Sequence, residues 1–213
     1  MHDVYANITL LMVEVRLYLL HSSLVKENLP FVLSFVDGKR KEKAERLVNE
    51  KDKLLSLGAG YLLKKYLPKG EIKLTDSGKP YLQNGPYFNL SHSSEYVVLA
   101  IHNSRDVGVD IEKINEDKIN AIKYVLSEKE RNIKELNTLF QVWSNKESLI
   151  KCLSTGLKDI KSVDGLPLEG KRIVNENPYF TKSMIYDGYS LSVTLKGEEP
   201  FIIKITSVQN LTD

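Results

Sequence analysis

The sharpest candidates for chemistry in this 213-residue chain are Asp110 and Glu112, in the run Val107-Gly108-Val109-Asp110-Ile111-Glu112. Residues two apart on a strand share a face, so the two carboxylates project together while Val109 and Ile111 turn to the core. Adjacent carboxylates raise each other's pKa unless a cation neutralises them. Oxygen donors of this kind suit Mg²⁺, which one or two carboxylates hold while substrate phosphates complete the shell. The same spacing also describes an exposed strand face with two solvated acids. A second constellation is Trp143-Ser144-Asn145-Lys146-Glu147-Ser148-Leu149-Ile150-Lys151. Trp143, Glu147 and Lys151 fall at i, i+4 and i+8, on one helical face. Either that stripe lines a cleft, or it is a surface helix whose i,i+4 ion pair is worth roughly 0.2–0.5 kcal/mol. Third, Phe88-Asn89-Leu90-Ser91-His92-Ser93 offers hydroxyls and an imidazole to an anion, or is an ordinary polar loop. Ser91 and His92 are neighbours in sequence and no Gly-x-Ser-x-Gly elbow is present, which disfavours a serine nucleophile with a histidine base. Cys152 sits in an apolar helical stretch and reads as a buried structural thiol.

Several elements must position these groups. Alternation through Leu11–Leu17, inside the apolar run from Ile8 to Leu20, predicts an opening strand. Ser34–Gly38 reads as a turn into an amphipathic helix from Lys39 to about Asn49, with Ala44, Leu47 and Val48 on one face. A second helix is expected over Leu54–Leu67, closed by Pro68 and Gly70. Gly78-Lys79-Pro80 and Gly85-Pro86 read as turns. Tyr96–Ile101 and Val107–Ile111 read as strands. Ser127 and Glu130 have capping-box spacing, predicting a charged helix, then a longer apolar helix from Leu139 to Leu153 ending at Gly156. Strand alternation returns between Ser183 and Val208. Both halves therefore run charged helix, apolar helix, strands. The expected class is α+β, with two similar pseudo-symmetric lobes, 1–105 and 106–213, and the active site in the cleft between them.

Composition narrows the function classes. With 42% hydrophobic residues and a net charge of +2, the chain can bury a core and is not disordered. Balanced charge predicts no nucleic-acid partner. One cysteine excludes a disulfide scaffold and fits a reducing compartment. Glu14 and Arg16 interrupt the first apolar run, against a signal peptide or membrane span. The expected location is cytoplasmic, so the Asn-x-Ser/Thr matches at Asn7, Asn89 and Asn210 carry no glycosylation meaning. No P-loop is present, which disfavours an unrelated phosphoryl-transfer enzyme.

In this order, Gly78-Lys79-Pro80, Phe88–Ser93, Val107–Glu112 and Trp143–Lys151 resemble the 4′-phosphopantetheinyl transferases, specifically the two-lobed, surfactin-synthetase-activating type. Asp187-Gly188-Tyr189 followed by Val193 is also similar to that family. The resemblance implies transfer of the phosphopantetheine arm of coenzyme A to a serine of an apo acyl, peptidyl or aryl carrier protein, leaving adenosine 3′,5′-bisphosphate. It implies Mg²⁺, with Mn²⁺ as a substitute, held by Asp110, Glu112 and Glu147. It makes Lys151 the pyrophosphate contact and proton donor to the leaving phosphate. Ser91 and His92 become coenzyme A phosphate contacts, His92 near the 3′-phosphate and counted as catalytic. Glu147, or a water it orients, accepts the serine proton. Lys79 and Pro80 form part of the adenine-side wall, and Lys146 lies near the phosphates. Lys39 and Lys43, with Arg40 and Arg46, serve the 3′-phosphate. Here the sequence departs from the family, because only Lys53 stands near Leu54 and Leu55, where an arginine is usual. Carrier docking is expected around Ile119–Leu126, by analogy, and the chain is expected to act as a monomer. The competing reading is a non-catalytic coenzyme A or carrier-protein binding module.

Overall fold

Nine residues from Val13 to His21 put Val15, Leu17 and Leu19 on one face and Arg16 and Tyr18 on the other, and they form the first strand, β1. The computed structural model describes residues 13–155 and 160–212. The start of the apolar run, Ile8–Met12, the Asn7 match and Gly156 lie outside the described residues. After β1 come α1 (Ser22–Glu27), α2 (Leu29–Phe35), α3 (Gly38–Glu45) and α4 (Glu50–Tyr66). Strands β2 (Ile72–Leu74), β3 (Pro80–Leu82), β4 (Tyr87–Ser93), β5 (Tyr96–His102) and β6 (Val107–Lys113) follow. Then come a 3₁₀ turn at Glu116–Lys118, α5 (Ile119–Val125), a second 3₁₀ turn at Glu128–Glu130, and α6 (Leu136–Leu153). Four strands close the chain: β7 (Glu169–Val174), β8 (Asn177–Tyr186), β9 (Tyr189–Lys196) and β10 (Phe201–Ser207).

The class is α+β. One four-stranded sheet has the order β10-β1-β5-β4, the other β6-β9-β8-β7, and β2 with β3 makes a separate hairpin. The last strand returns to pair parallel with β1, Val13 opposite Phe201. A division at 105/106 therefore separates β10 from the sheet it completes.

Apolar residues explain the layering. Leu20, Val97, Leu99 and Ile101 face α1–α4 and pack with Tyr61 and Leu62 of α4. The opposite faces of β1 and β5 meet Val107, Val109 and Ile111 of β6 and Leu191, Val193 and Leu195 of β9. This dry layer leaves the outer face of the second sheet to α6.

Two expectations need correction. The charged helix ends at Glu45, and Val48, assigned to its buried face, is 99% exposed. The charged segment after Ser127 is one 3₁₀ turn, because Glu130 swings inward to bind other groups. By contrast α4 starts where Asn49 caps Lys51 N–H at 2.8 Å and stops before Pro68.

Candidate active site

The outer face of β6 and β9 is built from small and polar residues: Gly108 and Asp110 on β6, Ser190, Ser192 and Thr194 on β9. This composition lets α6 approach the sheet closely. A Cβ at Gly108 would overlap the Ser148 carbonyl oxygen and lie 2.6 Å from Cys152 N. The hydroxyls that α6 covers satisfy one another, with Ser144 Oγ 2.6 Å from Ser190 Oγ and 2.7 Å from Ser192 Oγ. Ser148 Oγ is 2.8 Å from Thr194 Oγ1. Each such bond contributes about 1 kcal/mol, and an unmade one would cost at least as much. The helix itself is started by Glu135, whose carboxylate accepts from Asn137 and Thr138 N–H. Seated this way, it presents Glu147 and Lys151 beside Asp110.

The first sheet contributes from its edge. Inward-facing Asn89, Ser91 and Ser93 of β4 reach the edge strand β6. Asn89 Oδ1 accepts from Val109 N–H at 3.0 Å, and Ser93 Oγ accepts from Lys113 N–H at 3.1 Å. Side chains thus meet edge N–H groups that have no strand partner. In the same row Ser91 Oγ donates to Asp110 Oδ1 at 2.8 Å and Ser93 Oγ to Glu112 Oε2 at 2.9 Å.

Around these contacts the charges form a continuous chain. Lys151 Nζ is 2.6 Å from Asp110 Oδ1, 2.9 Å from Ser91 Oγ and 3.8 Å from Glu147 Oε2. Glu147 Oε1 accepts from the Trp143 indole N–H at 2.9 Å. Lys118 lies 5.3 Å above the Trp143 ring and donates to Glu112 Oε2 at 2.7 Å. Burial, then the charge of Asp110, pushes Glu147 up to about 7, against the pull of Lys151. Burial and Asp110 likewise raise Glu112, opposed by Lys118 and Ser93. Burial alone would lower Lys151, but Asp110, Glu147 and Glu112 outweigh it and raise its pKa. Three carboxylates here face two lysines, which leaves the cluster short of positive charge.

That shortage bears on a divalent cation. Among the described residues, no group of three or more His, Cys, Asp or Glu is arranged to hold a metal ion. Lys151 stands between Asp110 and Glu147, and Glu112 is turned to Lys118. The donor set nevertheless fits a hard cation. All three groups offer oxygen, and among the described residues the buried Asp110 Oδ2 has no hydrogen-bond partner.

The remaining candidates fall in different places. Lys79 and Pro80, with Ser77, Gly78 and Asn89, line a cleft of about 270 Å³ together with Glu147, Ile150 and Lys151. Lys79 Nζ is turned to the end of α6, 3.3 Å from Cys152 O and 3.8 Å from Asp106 Oδ1. Ser91 is 6% exposed and already bonded on both sides, to Asp110 and Lys151. His92 is on the exposed face of β4. Loss of solvation lowers its pKa first, then the charge of Lys151, and Lys43 also lowers it while Asp52 and Asp110 oppose. Lys39 and Lys43 line a separate cleft of about 440 Å³ with Arg40, Lys64 and Lys69. Lys146 does not reach the site. It is fully buried, 2.6 Å from Glu130 Oε2 and 2.9 Å from Val125 O, so no phosphate can approach it without breaking that pair. Cys152 is buried and its thiol is pushed up to about 12 by burial, in keeping with a structural role.

Lys118 was missed in the sequence and carried no signal, since it comes from the short 3₁₀ turn that leads into α5. The loop reading of the Phe88–Ser93 run is corrected: Tyr87–Ser93 is strand β4, which puts Ser91 and Ser93 on one face.

Comparison with known proteins places these residues in context. Residues 106–198 match the family model of the 4′-phosphopantetheinyl transferase superfamily. The chain is 33% identical over 142 residues to 4′-phosphopantetheinyl transferase gsp of Aneurinibacillus migulanus, covering 60% of each chain. It is 31% identical over 108 residues to 4′-phosphopantetheinyl transferase AcpT of Salmonella typhi, covering 46% of this chain and 56% of the other. It is 33% identical over 108 residues to an L-aminoadipate-semialdehyde dehydrogenase-phosphopantetheinyl transferase of Xenopus laevis, covering 40% and 36%. The matched region thus spans between about a third and three fifths of these relatives' lengths.

Proposed function

We propose, from the match of residues 106–198 to the 4′-phosphopantetheinyl transferase superfamily model, that this chain moves the phosphopantetheine arm of coenzyme A to a serine of an apo carrier protein. The observation that carries the reading is the union, on β6 and α6, of Asp110, Glu112, Glu147 and Lys151 beside the Ser91–His92 segment of β4. A binding module without chemistry has no use for three buried or half-buried carboxylates whose charge is unbalanced. The two sheets, with their helices, are read as two lobes, β1–β5 completed by the returning β10, and β6–β9 with α5 and α6, with the reaction in the cleft lined by the 77–80 turn and α6.

In this reading Asp110, Glu112 and Glu147 hold Mg²⁺, or Mn²⁺ in its place. When bound, the cation would neutralise pyrophosphate charge. The carrier serine oxygen bonds to the β-phosphorus while the bond from that phosphorus to the bridging oxygen breaks. The released electron pair stays on the oxygen of adenosine 3′,5′-bisphosphate. Lys151, at the border of that cleft, keeps its proton at neutral pH and gives it to that oxygen. Glu147 accepts the serine proton directly or through a water. His92, on the side of β4 whose field includes Lys43 and Asp52, contacts the 3′-phosphate end, with Lys39 and Lys43 beyond it. Among the described residues no helix is long and apolar enough to cross a membrane. A monomer working in the cytoplasm on soluble carriers accords with the reading.

The test is direct. The protein is incubated with coenzyme A, Mg²⁺ and an apo carrier, and the carrier is weighed by mass spectrometry. Addition of one phosphopantetheine mass, abolished by excess EDTA, is expected. Coenzyme A binding with no mass added would favour the binding module.

A further inference from the structure

We propose that Lys151 is the internal counter-ion of the cation-free site, standing between Asp110 and Glu147 where a divalent cation enters, so that cation binding drives its ammonium out into the cleft. The inference rests on the reading of Asp110, Glu112 and Glu147 as cation ligands.

Three observations support it. Lys151 Nζ contacts both carboxylates, at 2.6 Å and 3.8 Å, and these are two of the three proposed ligands. The other lysine of the cluster, Lys118, is committed to Glu112 and lies over the Trp143 ring. Asp110 Oδ2 is buried with no partner among the described residues, so an acceptor remains even with the lysine in place. An ammonium and a divalent cation on the same carboxylates repel each other strongly in a partly desolvated site.

Lys151 also has somewhere to go. Its side chain is 27% exposed and borders the cleft with Glu147, Ser77, Gly78, Lys79, Pro80 and Asn89. An ammonium released there faces the space in which the pyrophosphate is read to lie. Cation entry and presentation of the proton donor then become one event, and the lysine is withheld from substrate until the cation has arrived.

The experiment is a Mg²⁺ titration of the full chain at pH 8 without coenzyme A. It is followed by calorimetry and by emission from Trp143, the only tryptophan, whose indole N–H binds Glu147. Lys151→Met and Lys151→Gln should each bind Mg²⁺ at least tenfold more tightly than wild type, and Lys151→Arg should bind as weakly as wild type. Folded variants with unchanged or weaker Mg²⁺ affinity would overturn the counter-ion role and leave the ligand reading standing. Absence of Mg²⁺ or Mn²⁺ binding in every protein would overturn the ligand reading and the inference with it. A further measurement needs no variant. In ¹⁵N-lysine-labelled wild type, the Lys151 ammonium signal should shift through the Mg²⁺ titration, and a signal unmoved at saturation would overturn the proposal.

Discussion

Two lysine–carboxylate pairs sit on α6 with the same closest separation, 2.6 Å, and have opposite surroundings. Lys146 and Glu130 are 0% and 1% exposed. Glu130 also accepts from Ser127 N–H at 2.7 Å and Gly165 N–H at 2.5 Å, and Lys146 donates to Val125 O. Burial alone would raise the Glu130 pKa, but these donors and the lysine bring it below the usual carboxylate range. Further along the same helix Lys151 is shared between two carboxylates, and Asp110 keeps one oxygen without a partner among the described residues. Glu147 and Glu112 are raised, the reverse of Glu130. A short ion pair therefore does not by itself mark a structural joint or a reactive site. Completeness of the surrounding hydrogen bonds separates the two.

The largest expected effect is at the complete pair. Lys146→Met removes the cation and leaves a buried, uncompensated Glu130, which should destabilise the fold by about 3–5 kcal/mol in urea unfolding. A cost below about 1 kcal/mol would show that Glu130 reaches solvent and that the pair is not closed. The pH dependence follows from the lowered Glu130 pKa. Its stabilisation is fully present above the unfolded carboxylate value of about 4.3 and is lost as pH falls through the lower folded value. Glu130→Gln should therefore flatten the acid limb of the stability profile, and an unchanged limb would contradict the assignment.

At the incomplete pair the signs differ. Asp110→Asn removes a partner of Lys151, but it also relieves the repulsion that raises Glu112 and Glu147, and Lys151 keeps Glu147 and some solvent. Stability without added cation should stay within about 1 kcal/mol of wild type, while transfer to the carrier should fall by about 10²-fold or more. A loss of several kcal/mol with transfer retained would make Asp110 a second Glu130.

How much of this could be read in advance depended on periodicity. The period of two put Asp110 and Glu112 on one face of β6, and the period of 3.6 put Trp143, Glu147 and Lys151 on one face of α6, as found. The same helical spacing places Lys146 with Val142 and Leu149, at i−4 and i+3, both buried. The buried fate of Lys146 was thus legible on the helix, although resemblance assigned it to the phosphates. Its partner was not, because Glu130 lies in a turn whose capping-box spacing says nothing about where the carboxylate points. The short helices α1 and α2 escaped notice, since six and seven residues offer too few turns for an apolar stripe. The parallel pairing of β10 with β1 was equally hidden. Alternation identifies a strand, but its neighbour is chosen by tertiary packing.

The smallest effect tests whether the incomplete site is also loosely held. Trp143 donates to Glu147, lies under Lys118 and packs 5.8 Å from Phe140, so it links the Glu112 end of the charge chain to the Lys151 end. Trp143→Phe keeps an aromatic ring for Phe140 and Lys118 and deletes the N–H together with part of the indole. The lost hydrogen bond to a half-buried carboxylate should cost about 1 kcal/mol of stability. Glu147, freed from the indole, then has Lys151 as its remaining tether, and the second contact of that lysine is with Asp110. Transfer should fall a few-fold, mainly in kcat, because Glu147 loses orientation and not its charge. A loss as large as that of Asp110→Asn would mean that the indole N–H is indispensable for holding Glu147. Transfer at the wild-type rate would mean that the indole N–H does not orient the carboxylate, and the two ends of the charge chain would then be independent.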